Sequence, residues 1–192
     1  MSGDVFQLFN EGVSASQRAD QLREEGDHEG ADRAEAQSLE AFDRVLGREP
    51  RHLGALSYKG MCCARRGRTA EAVSLFQTAV EVEPGFAENH RQLGLCHAEL
   101  GDFAAARAAT SQALQLDGTA GYRHDAAVEL YNFGGHVMRM AAAHRDAARH
   151  HEERQSYRHA QGFFVLVLDI EPDNPHASKA LAIVARCLGG PG

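Results

Sequence analysis

The sequence predicts an all-α solenoid of four stacked helix pairs plus a closing helix, with the first and last pairs longer than the middle two. Three observations carry that expectation. From Leu53 to Ala120 one 34-residue unit is written twice: a slide of 34 places Gly60 on Gly94, Cys62 on Cys96, Gly67 on Gly101, Ala72 on Ala106 and Ala79 on Ala113, and Pro50 on Pro84. The two ends match each other at a shift of 122, Leu8 with Leu130, Asn10 with Asn132, Gly12 with Gly134, Phe42 with Phe164, Val45 with Val167 and Pro50 with Pro172. Within each unit, apolar residues recur at helical spacing between Gly and Pro breakers. A fixed period with small residues at fixed offsets marks a helix-turn-helix repeat whose units bury their apolar faces by stacking.

Taken in order, the first unit spans residues 5–52. Leu8-Phe9-Asn10-Glu11-Gly12 opens its first helix, and Phe42, Val45 and Leu46 close its second before Pro50. Gly26 stands 34 residues before Gly60 but inside a polar stretch, so Gly12 is the better match. Residues 53–86 follow: Leu53, Leu56, Gly60 and Cys63 lie on one helical face, Arg66-Gly67-Arg68 makes a turn, and Ala72, Val73, Phe76, Ala79 and Val80 line the next helix. Residues 87–120 repeat this with Leu93, Gly94, His97 and Leu100, then Phe103, Ala106, Ala113, Leu114 and Leu116. Gly121 to Asp125 reads as a linker, and residues 127–174 form the fourth unit. Residues 175–188, with Ala177, Leu181, Val184 and Leu188 on one face, form a capping helix, and the Gly189-Gly190-Pro191-Gly192 end reads as a frayed tail. The whole chain is expected to be one domain. Each terminal unit is 14 residues longer than the 34-residue period. Split as seven per helix, that insert adds about two turns to each at 3.6 residues per turn, and the hairpin projects roughly 10 Å further; a long loop is the alternative.

The bulk numbers bound the function. With 192 residues, 43% apolar and 24% charged, the chain is long enough to bury a core and too apolar to be mostly disordered. A formal charge of −7 argues against nucleic acid, which needs clustered Lys and Arg. No run of 18 apolar residues exists, and the start lacks the basic and apolar regions of a signal peptide, so no membrane association and a cytoplasmic location are expected. Cys62, Cys63, Cys96 and Cys187 fall inside apolar-periodic segments, as reduced core residues do.

Gly60, Gly67, Ala72, Phe76, Ala79 and Pro84 in one unit, and Leu93, Gly94, Gly101, Phe103, Ala106 and Ala113 in the next, resemble the tetratricopeptide repeat family. The resemblance implies a right-handed superhelix of helix pairs that binds peptides or partner proteins in a concave groove lined by the first helices. Large aromatic residues usual in the family are replaced by Leu56, Cys63, His90 and His97, and Asp117-Gly118 stands in place of a terminal Pro. Carried over position by position, the implied groove lining is Phe6, Phe9 and Val13, then Ser57, Met61, Ala64 and Arg65, then Arg91, Leu95, Ala98 and Glu99, then Tyr131, Gly135, Met138 and Arg139, with Lys179 added by the closing helix. Apolar ends with Arg65, Arg91 and Arg139 between them suit a segment with apolar anchors and acidic residues, because Arg offers a planar fork to carboxylates. The Lys and Asn clamps with which part of the family grips a C-terminal carboxylate are missing.

Other chemistry has thin support. His136, His144, His150, His151 and His159, with Asp146, Glu152 and Glu153, enrich the fourth unit, and a pair such as Asp146 and His150 has the i, i+4 spacing of ligands on one helical face. No HExxH or CxxC completes a metal site, and no metal or cofactor is expected. GxSxG, GxxxxGK and GxGxxG are also missing, so no catalytic residue is assigned and the chain is expected not to be an enzyme. The hairpin tips differ in charge, with −3 over residues 17–34 against +1 over 141–158, which would favour attraction between the arms or between copies. The expected function is a protein-binding adaptor or assembly scaffold. A self-associating structural scaffold and a metal- or cofactor-responsive accessory protein that uses the His-rich hairpin are the alternatives.

Overall fold

The computed structural model describes residues 3–189. Among these residues the chain forms nine α-helices and no strand: α1 Gly3–Glu24, α2 His28–Arg48, α3 Leu53–Arg65, α4 Thr69–Val82, α5 Ala87–Glu99, α6 Phe103–Leu116, α7 Ala120–Asp146, α8 His150–Ile170 and α9 Pro175–Cys187. This is the all-α tetratricopeptide-type solenoid class, four helix pairs with a closing helix. The four cysteines are free, with Cys62, Cys63 and Cys96 buried.

One turn type joins each pair. The C′ residue takes a left-handed backbone, and the next amide reaches back five residues, as in Asp27 N to Leu22 O at 2.9 Å and Asp102 N to His97 O at 2.9 Å. Gly26, Gly67 and Gly101 supply the positive φ at 82°, 70° and 81°. The fourth turn uses Ala148 at φ 55°. Gly26 is thus a turn residue, and Gly12 holds the close contact within α1.

The long inserts are helical. α1 and α2 have 22 and 21 residues against 13 and 14 in α3 and α4, and α7 and α8 have 27 and 21. The added length is shared nearly evenly in the first pair but not in the last, because the expected linker is absent. Gly121 to Asp125 lies inside α7, which begins at Ala120. The break comes earlier: Thr119 donates its hydroxyl to Asp117 Oδ1 at 2.8 Å and accepts from Tyr122 N at 3.3 Å, so Asp117-Gly118-Thr119 acts as stop and N-cap together. The fourth unit therefore starts at 120 and not 127. The closing helix ends at Cys187, with Leu188 as its C-cap.

The chain divides into two compact units, Met1–Cys96 and His97–Gly192. In the first, Val5, Leu8, Phe42, Val45, Ala55 and Cys62 form one buried cluster, and Cys63, Ala72, Val73, Phe76 and Cys96 another. The glycines seen in the sequence set the helix spacing. A Cβ on Gly12 would stand 2.6 Å from the Phe42 ring, and one on Gly60 2.8 Å from Phe76. In the second unit, Ala141, Tyr157, Ala160 and Phe164 pack against Ala180 and Val184 of α9. There a Cβ on Gly134 would meet Phe164 at 2.8 Å, and the Phe103 ring fills the space where Gly162 lacks a side chain. Overpacking such seams costs about 1 to 3 kcal/mol.

Candidate functional site

In the first unit, most of the expected lining residues make contacts within the fold. Phe9 lies half-buried among His52, Tyr58 and Phe42, with ring centroids 4.9, 5.9 and 6.0 Å away, and it fills the space beside Gly54. Val13 packs against the same cluster and Met61 against the cluster of Cys63 and Phe76. Leu95 is buried. Ser57, half-buried, has one hydroxyl proton and two acceptors in reach, Leu53 O at 3.1 Å and Asn89 Oδ1 at 2.8 Å. Asn89 is 1% exposed and its Nδ2 has no hydrogen-bond partner.

The arginines are held by carboxylates. Arg91 grips Glu88 one turn earlier, Nε to Oε2 at 2.9 Å and Nη2 to Oε1 at 2.6 Å. Arg65 turns toward α2, where its Nε donates to Glu35 Oε1 at 2.9 Å, and its Nη2 donates to Ser16 Oγ and Cys62 Sγ, each at 3.2 Å. The Arg65 pKa is raised; burial opposes the shift, and the Cys62 sulfur, Glu35 and Asp20 drive it. Burial pushes the neighbouring Cys63 thiol up to about 11, so it remains a thiol at neutral pH.

Glu35 was not among the expected functional residues. It is a carboxylate only 1% exposed, contacted by Arg23 and Arg65 and approached by Arg66. Its position on the buried face of α2, with Ala31, Ala34, Ser38, Ala41, Phe42 and Val45, is the sequence signal that could have found it.

Phe6 points elsewhere. It is 56% exposed and borders a hollow of about 600 Å³ that Asn10, Ser14 and Arg18 of α1 share with Gln37 of α2.

In the second unit, Tyr131 is half-buried with its ring centroid 5.5 Å from Phe164 and 6.2 Å from His176. Met138 packs beneath α9, Glu99 is half-buried, and Arg139 is exposed. The histidines of this unit are dispersed. His159 Nε2 lies 2.8 Å from Ala98 O, His150 Nδ1 is 3.5 Å from Glu153, and His144 Nδ1 is buried without a hydrogen-bond partner. Asp146 and His150 do not share a helical face, because the turn at 147–149 separates them. Among the described residues no three His, Cys, Asp or Glu side chains are grouped to hold a metal ion, and no helix is long and apolar enough to cross a membrane.

Two tetratricopeptide repeat models match the chain, one over residues 18–85 and one over 64–128. A curated relative, Protein CTR9 homolog of Arabidopsis thaliana, is 37% identical over 81 residues; the match covers 42% of this chain and 7% of that protein. Among solved structures, a MamA protein is similar with a TM-score of 0.51 at 18% identity, over 93% of this chain and 83% of that one. An O-GlcNAc transferase mutant from Thermobaculum terrenum is similar with a TM-score of 0.51 at 24% identity, over 68% of this chain and 23% of that one. At such identities these structures speak to the fold alone. With its 34-residue period, its small residues at the helix seams and the family models matched over residues 18–128, the chain belongs to the tetratricopeptide repeat family.

Proposed function

We propose that the chain is a non-enzymatic adaptor or assembly scaffold that captures a segment of a partner protein on the faces of its first helices, and that the segment combines apolar anchors with acidic residues. Tetratricopeptide proteins generally mediate protein–protein interactions, and membership of that family is the observation that carries this reading. The placement of cations supports the acidic preference. Arg65 and Arg91 lie on first helices with their forks preset by carboxylates, and Arg139 is exposed on α7. An arginine held in place loses less side-chain entropy when a carboxylate arrives.

Selection of a displayed random-peptide library on the purified chain tests the reading. Acidic peptides with regularly spaced apolar residues are expected to be enriched, and Arg139→Glu is expected to weaken their binding about tenfold without changing helix content. Enrichment of basic or purely polar peptides, or no enrichment above background, would overturn it.

A further inference from the structure

At the C-terminal ends of α1 and α3, three guanidinium groups surround one buried carboxylate. Glu35 Oε1 accepts from Arg65 Nε at 2.9 Å and Oε2 from Arg23 Nη2 at 3.3 Å, while Arg66 Nη1 stands 3.8 Å away. Asp20 Oδ1 takes a bond from Arg23 Nη1 at 3.1 Å and lies 3.9 Å from Arg65 Nε. Three positive charges are thus met by two negative ones, in a chain whose overall charge is −7. Arg66 is the least committed of the three: its side chain is 37% exposed, and its approach to Glu35 is beyond hydrogen-bond range. A guanidinium carries five donors, more than one carboxylate oxygen at 3.8 Å can take up.

The same seam is closed elsewhere in the chain without a buried ion pair, although Arg145 keeps a cation at the position of Arg23. A shift of 122 carries α1–α3 onto α7–α9 and places Glu35 on Tyr157, Arg65 on Cys187, Ser38 on Ala160 and Cys62 on Val184. Tyr157 is 3% exposed, and it packs in one cluster with Cys187 of α9. Packing at this position therefore does not need an ion pair. A buried ion pair is also a poor way to gain stability, since replacing one with well-packed neutral groups is often neutral or stabilising. The charge in α1–α3 calls for another use.

We infer that Arg23, Arg65 and Arg66, arrayed around Glu35, form a receiving site for carboxylates of an acidic protein segment, with Arg66 making direct contact. This rests on the partner-binding reading above and gives it an anchor. Glu35 is a positioning residue: it lets three cations stand together without mutual repulsion opening the helix ends, and it leaves one net positive charge to be met by the ligand. The surrounding helices exclude part of the solvent, so the interaction is stronger than an exposed ion pair yet still weakened by salt.

Fluorescence anisotropy of the full chain tests this with a fluorescein-labelled peptide in which Glu and Leu alternate with Ser, beside its counterpart with Gln for Glu. The Glu peptide is expected to bind and the Gln peptide to bind at least about tenfold more weakly, with Arg66→Gln causing a loss of similar size at unchanged helix content. The double change Glu35→Tyr with Arg65→Cys, which installs the neutral pair of α8 and α9, is expected to keep the thermal midpoint and lose the Glu peptide. Binding of the Glu peptide within about twofold of the parent chain in Arg66→Gln would overturn the site while leaving partner capture standing. Failure of both peptides to bind the parent chain would overturn the site and count against that reading too. Should the double variant unfold, the premise that this seam tolerates neutrality falls, and Arg66→Gln decides the binding claim alone.

Discussion

In α1–α3 the side chain that closes the seam between the second and third helices is the carboxylate of Glu35, bound to Arg65. In α7–α9, 122 positions on, it is the phenol of Tyr157, packed in one cluster with Cys187. The surrounding apolar frame is conserved between the two modules: Gly12 and Gly134 meet the rings of Phe42 and Phe164, and Cys62 and Val184 are both fully buried. Helix packing is therefore set by the small and aromatic residues, and the polar pair at the seam is free to differ. Charge at that point is a choice made on top of a fold that already closes.

Deleting the polar group in each module should break this parallel most sharply. Glu35→Ala leaves Arg23, Arg65 and Arg66 facing one another with only Asp20 between them, and is expected to cost roughly 2 to 3 kcal/mol, below the full range for a broken buried pair because the guanidiniums remain about a third solvated. Tyr157→Phe removes one buried hydroxyl from a neutral seam, at about 1 kcal/mol or less. Urea unfolding of the full chain, with hydrogen exchange to localise the loss, measures both. Equal costs would mean that the two seams are energetically alike and that the charge has no separate consequence.

The parts of this design legible in the sequence are those fixed by size and period. Gly12, Gly60 and Gly134 could be placed at helix seams because a 34-residue and a 122-residue shift bring each onto another glycine. The helical nature of the inserts follows from the same logic, since residues added in whole turns keep the apolar face in register. The start of α7 was not legible, because Gly121 so soon after Gly118 reads as flexible chain, while the decisive cap is the Thr119 hydroxyl, which accepts from Tyr122 N and donates to Asp117. Nor was the direction of Arg65. Its spacing places it on a first helix, but only the fold shows it turned toward Glu35, although the place of Glu35 on the helical-period face of Ala31, Ala34, Ser38 and Phe42 marked that acid as buried.

The turns offer a second contrast of smaller size. Gly26-Asp27 pairs a glycine at φ 82° with an aspartate whose carboxylate accepts from Gly30 N at 2.9 Å, whereas Ala148-Arg149 has a residue with a Cβ at φ 55° and no side-chain cap. Ala148→Gly together with Arg149→Asp is expected to stabilise the α7–α8 hairpin by about 1 to 2 kcal/mol, one part from relieving the left-handed alanine and one from the new N-cap. Gly26→Ala with Asp27→Ala should destabilise the first hairpin by a similar amount. Thermal melts of the two double variants, moving in opposite directions, would confirm that the turns are interchangeable parts. Movement in the same direction would show that the tips are constrained by something other than backbone geometry.

The smallest effect distinguishes how the third helix of each module is tied on. His52 caps α3, its Nδ1 accepting from Ala55 N at 3.1 Å, and Asn174 caps α9, its Oδ1 accepting from Ala177 N at 2.9 Å. Only Asn174 is itself held by a carboxylate, donating Nδ2 to Glu171 Oε2 at 2.7 Å. That bond, opposed by burial and assisted by His124, lowers the Glu171 pKa below its ordinary 4.5. A lowered carboxylate pKa means that the unfolded chain takes up the proton first as acid is added. The stabilisation from Glu171 is therefore present above pH 4.5 and fades as pH falls through the folded value. Protection of the Ala177 amide against hydrogen exchange should decline over that interval in the parent chain and be weaker but flat with pH in Glu171→Gln. A parent chain as flat as the variant would mean that α9 is held by its apolar face against α7 and α8 alone, with its cap contributing nothing measurable.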